Sequence, residues 1–110
     1  MRAGRLNRRI TLQKQSSVRD TTGQSKIVWT DIATVWAAVL PLRGREFFEA
    51  ERLNSEISVR ILIRYRSDFS ATWRVKYGNR AFEVQEAINP EDGREELQLM
   101  CRELNPEAPL

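Results

Sequence analysis

At 110 residues with a formal net charge of +3, the chain has the size of one domain with a single core and too little positive charge for tight, general phosphate binding. It has no histidine, which removes the commonest general base and a common metal ligand. Its one cysteine, Cys101, excludes an internal disulfide framework and fits a reducing cytoplasm.

Residues 1–7 (MRAGRLN) read as a mobile basic arm, extending to residue 8, with no signal-peptide pattern and no apolar run long enough to cross a bilayer. Residues 9–15 read as a first strand, with Ile10 and Leu12 on one face. Residues 16–26 (SSVRDTTGQSK) read as a polar loop with a turn at Gly23. Residues 27–29 either begin a second strand or pack Trp29 as a cap on the core.

Residues 31–40 (DIATVWAAVL) are apolar on both faces, with Ile32, Trp36, Ala38 and Leu40 on one and Ala33, Val35, Ala37 and Val39 on the other. Such a strand is covered twice, once by its own core and once by a helix or a neighbouring subunit. Pro41 ends it.

Residues 43–55 form an excursion, with a short helix predicted over 45–54 that is too short to stand without tertiary support. Residues 56–66 (EISVRILIRYR) alternate with period two. Ile57, Val59, Ile61, Ile63 and Tyr65 face inward, and Ser58, Arg60, Arg64 and Arg66 face outward.

Residues 72–77 and 80–88 form a hairpin through Gly78-Asn79, where glycine supplies the positive φ of a two-residue turn. Residues 95–103 close the fold with Leu97, Leu99 and Cys101 inward, followed by a tail over 104–110. The prediction is one mainly β domain over 1–110: a barrel of about six strands with one short helical insertion and flexible termini. Closure is expected because a long strand over 56–66 would otherwise leave an exposed edge.

Charge is uneven. Residues 1–26 carry seven basic groups against Asp20 alone, whereas residues 89–110 carry six acidic groups against Arg94 and Arg102. The asymmetry fits a nucleic-acid contact at one end, complementarity between copies of the chain, or solvated termini. No metal-ligand spacing, P-loop or dinucleotide fingerprint occurs, so no catalytic, metal or cofactor residue is assigned. One alternative is a small basic β-barrel module that binds single-stranded nucleic acid through Trp73, Tyr77 and Phe82 beside Arg74, Lys76 and Arg80. Those aromatics share the inward phase with Val75 and Val84, which favours the core.

The ordered features resemble the phage head–tail joining proteins, the head-closure or head-completion connectors of long-tailed phages. The residues that carry the resemblance run from the arm Ala3-Gly4-Arg5-Leu6-Asn7-Arg8-Arg9-Ile10 to Gly23 before Trp29. They continue through Val35-Trp36-Ala37, Leu42 with Gly44 and Glu46, and Ile63-Arg64-Tyr65. The Tyr77-Gly78 turn, residues 82–88, and Leu97-Gln98-Leu99 before Cys101 complete the set.

The resemblance implies a virion protein, made in the host cytoplasm, that forms a ring, usually of twelve copies. That ring lies between the portal or its adaptor and the tail-completion or tail-tube protein. It closes the filled head, docks the tail and surrounds non-specifically the DNA that leaves. It implies no catalysis, cofactor or membrane, and an isolated chain that is either monomer or ring.

A closed ring needs two complementary surfaces on each copy. Candidate contacts are Arg5, Arg8, Arg9, Trp36, Arg60, Arg64 and Arg66. Candidate residues reaching into the lumen or onto a neighbouring ring are Gly44, Arg45, Glu46, Phe47, Phe48, Glu49 and Arg52. Packing of the excursion on its own barrel, and plain disorder of the arm, are the alternatives.

Overall fold

The computed structural model describes residues 6–52, 56–89, 93 and 95–104. Residues 1–5 of the arm, 53–55 of the excursion, most of the turn after Asn89 and the tail beyond 104 lie outside them. Six strands and one helix follow in chain order: β1 Arg8–Arg19, β2 Ser25–Pro41, α1 Arg45–Arg52, β3 Val59–Arg64, β4 Arg74–Tyr77, β5 Arg80–Ile88 and β6 Glu96–Leu104. The strands close into an antiparallel barrel, as the sequence predicts, and their order around it is β1-β2-β3-β6-β5-β4.

Period-two alternation builds the interior. Ile10 and Leu12 of β1, Val59, Ile61 and Ile63 of β3, Val75 of β4, and Phe82 and Val84 of β5 point inward with Leu97, Leu99 and Cys101 of β6. Phe82, the largest of the fully buried side chains, fills this interior. Each fully buried aliphatic or aromatic side chain contributes about 1.5–3 kcal/mol, so the dozen residues of this cluster dominate the stability. Among the described residues no polar or charged side chain is buried, so the barrel encloses an apolar core.

β2 runs 17 residues and is the longest strand, whereas β3 has six. The strand expected over 56–66 is therefore shorter than its alternation suggests. It lasts only while β2 and β6 flank it, from Val59 opposite Cys101 to Arg64 opposite Glu96. In β2 the inward residues are Val35, Ala37 and Val39, and Trp36 points out. A bulge opposite Leu12 and Gln13, where Ala33 and Asp31 are the successive partners, skips Ile32. That extra residue turns Ile32 inward against the core, although by strict alternation it would share a face with Trp36.

A second cluster lies on the outside. Leu6 covers Ala38 of β2 and Leu62 of β3, and all three are buried. The doubly apolar stretch is thus covered in part by the chain's own N-terminal segment.

The segment read as a polar loop is a hairpin. β1 pairs with β4 only through Thr11, Leu12 and Gln13, and β2 pairs with β3 only from Ala37 onward. Between these points the two strands pair with each other alone, as a free two-stranded ribbon whose ladder reaches Arg19 opposite Ser25. A tight tip closes it. The Asp20 carboxylate accepts from the Thr22 amide at 2.9 Å, the Thr22 hydroxyl at 2.7 Å and the Gln24 amide at 3.0 Å, and Gly23 takes φ +86°. This self-contained Asx turn makes the tip a defined structure. The molecule spans 48 × 31 × 24 Å.

Candidate functional site

The ladder register sorts the molecule into two poles. At one pole β3 and β5 end, β4 and β6 begin, and the ribbon departs. At the other, β1 begins, β2 gives way to α1, and β4 turns into β5 through Gly78 at φ +59°. The candidate residues divide between the helix pole and the outer wall.

Gly44, at φ +55°, opens α1, and its carbonyl accepts from the Phe48 amide at 3.1 Å. α1 does not pack extensively on any strand. Its tie to the barrel is an ion pair between Glu46 and Arg60 on the outer wall of β3. Phe47 and Phe48, in edge-to-face contact at 6.0 Å, are 42% and 66% exposed. Arg45, Phe48, Glu49 and Arg52 line one shallow groove along the helix, and Phe47, Glu51, Glu56, Ile57 and Ser58 line another. The structure thus brings together all seven residues of the predicted insertion, on a short helix that presents two aromatic rings to solvent.

The predicted contact residues do not gather. Arg5 lies outside the described residues. Arg8 and Arg9 begin β1, and the Arg9 guanidinium stacks 4.8 Å above the Trp36 ring. Trp36 is 51% exposed on the outer wall of β2, with Leu40 exposed further along the same face. Arg60 is engaged by Glu46, and Arg64 lies opposite Glu96. Arg66 folds back onto Asp68 in a two-pronged pair at 3.0 and 2.9 Å. That pair raises the Arg66 pKa and holds the Asp68 carboxyl below its ordinary value. The arginine face of this segment is therefore largely spent within the chain.

Two polar assemblies escaped the sequence reading. Where the ribbon leaves the barrel, Arg74 donates through Nε to Gln13 at 2.7 Å, and Gln13 donates to Asp31 at 2.7 Å. The same guanidinium lies 4.4 Å above the Trp29 ring, and partial burial lowers its pKa. These residues come from three strands, so only the barrel register joins them. At the other pole Arg80 grips Glu103 through two bonds of 2.8 Å and lies over the Phe82 ring, which holds the Glu103 carboxyl below its ordinary value. Phe82 is fully buried, and Trp73 and Tyr77 pack against the core. The aromatics of a single-strand-binding platform are therefore turned inward. Among the described residues no group of three potential metal ligands comes together.

Surface projections on a filled barrel suit contacts between macromolecules. Comparison with known proteins decides the family, because residues 1–104 match the phage head completion proteins.

The chain belongs to the phage head completion protein family.

A head completion protein is a structural component of a phage head, and the family is not a family of enzymes. The solved structure of protein SF1141 from Shigella flexneri 2a is 36% identical. It aligns over 94% of this chain and 96% of its own length with a TM-score of 0.71. A chain in the virion of a native gene transfer agent particle is 20% identical and shares the fold, with a TM-score of 0.60 over 91% of this chain and 96% of that one. No match was found among curated proteins.

Proposed function

We propose that this head completion protein assembles as a ring, of twelve copies, between the portal or its adaptor and the tail. There it closes the DNA-filled head and offers the surface on which the tail docks. The observation that carries the reading is a filled barrel with two unpartnered projections at opposite poles, the β1–β2 ribbon and α1 with exposed Phe47 and Phe48. Enclosed cavities serve small ligands. A barrel with an apolar interior, whose ribbon and helix project from opposite poles, supports a role in assembly.

α1 is the segment that reaches into the lumen or onto the next ring. With Arg45 and Arg52 set against Glu46, Glu49 and Glu51, it carries little net charge, so DNA passes without being held. Arg9 and Trp36 form a basic and aromatic patch available to a neighbouring copy. The partners are the portal or adaptor on one side and the tail-completion or tail-tube protein on the other, with the genome as a non-specific passenger.

The test is negative-stain imaging of particles made with and without this gene in its phage background. DNA-filled or emptied heads lacking tails, beside finished free tails, are expected without it. Normal tailed particles in its absence would reject the reading.

A further inference from the structure

A free two-stranded ribbon is marginal in water, and its open edges are templates for pairing with another chain. Among the described residues, 14–19 of β1 and 25–36 of β2 have no strand paired on their outer sides. Val18 and Ile27 on the ribbon are 45% and 63% exposed. The Asp20 turn nevertheless gives the ribbon a built tip, so it is shaped before any partner arrives.

The ribbon carries net positive charge, with Lys14, Arg19 and Lys26 against Asp20 and Asp31, so two ribbons would repel each other. The same chain offers a complementary edge. β5 pairs with β4 only from Arg80 to Glu83, which leaves 84–88 without a paired strand on that side among the described residues. Glu86 flanks this edge together with Glu83, whose carboxylate already accepts from Arg102 and Gln85, and Ile88 is 36% exposed at its end.

We propose that the 14–19 edge of the ribbon on one copy pairs with the 84–88 edge of β5 on the next copy. Lys14, Arg19 and Lys26 then meet Glu83 and Glu86. The contact joins two different surfaces of one chain, so repetition generates a ring if the rotation closes. Strand addition supplies the ladder, and the charges set its register. This inference rests on the ring reading and names the contact that builds it.

The test is disulfide trapping in virions assembled with the double variant S17C/Q85C, compared with each single variant. Cys101 is buried and stays out of the reaction. Under mild oxidation the double variant is expected to give a ladder of covalent oligomers ending in a closed ring. Adding K14E, R19E and K26E, none of which touches the core, should reduce that ladder at least tenfold. Hydrogen exchange on the unmodified protein provides a second measurement, with protection of 14–19 and 84–88 rising at least tenfold on incorporation into particles. Tailed virions that contain a ring yet show neither trapping nor protection would overturn this contact and leave the ring standing. Virions without any ring of this protein would overturn both.

Discussion

Cys101 shows how a single residue reports on the barrel. It lies at the middle of β6 among Leu99, Val59 and Val84, and burial pushes its thiol up to about 12 from an ordinary 9.0. The folded state therefore keeps a proton that the unfolded chain releases above about pH 9. Stability from this group is fully present below that pH and declines as pH rises toward about 12. In the folded protein at pH 8, Cys101 should resist a water-soluble alkylating reagent and react only in denaturant, as read by intact mass. Rapid alkylation without denaturant would contradict a sealed barrel. The inward place of Cys101 was legible from its alternation with Leu97 and Leu99. The pairings of Arg66 with Asp68 and of Arg74 with Gln13 were not, because sequence alternation gives the face of a residue and not the partner it finds there.

Among the elements, those that feed the core and the short helix of the excursion were legible, and the ribbon was not. β3 and β6 and the β4–β5 turn announce themselves through alternating apolar residues and Gly78-Asn79. The ribbon has no core to face, so hydrophobic period is silent over 14–30. The available signal was local: Val18, Ile27, Val28, Trp29 and Thr30 are strand formers flanking the turn chemistry of Asp20-Thr21-Thr22-Gly23. On the face expected for Ile32, Trp36, Ala38 and Leu40 only Ile32 departs, since the bulge beside it inverts the phase there.

The separation of α1 from the barrel has a measurable consequence. Phe82→Ala in β5 should cost about 3–5 kcal/mol through a lost side chain and a residual cavity. Phe48→Ala in α1 should stay within about 0.5 kcal/mol, as for an exposed site. Urea denaturation of the two variants compares them directly, and a large loss at Phe48 would show that α1 packs on the barrel.

At the scale of the whole molecule, an asymmetric barrel with a ribbon at one pole and an aromatic helix at the other has the heterologous surfaces that a closed ring requires. Its interior is committed to stability, and its projections are left for neighbours. The central claim is that copies of this chain encircle the exit of the head. Cryo-electron microscopy of the neck of finished virions tests it most directly. The account predicts a closed ring of six-stranded barrels between head and tail, with α1 turned to the channel or to an adjoining ring. A neck without these barrels, or barrels distributed along the tail, would contradict it.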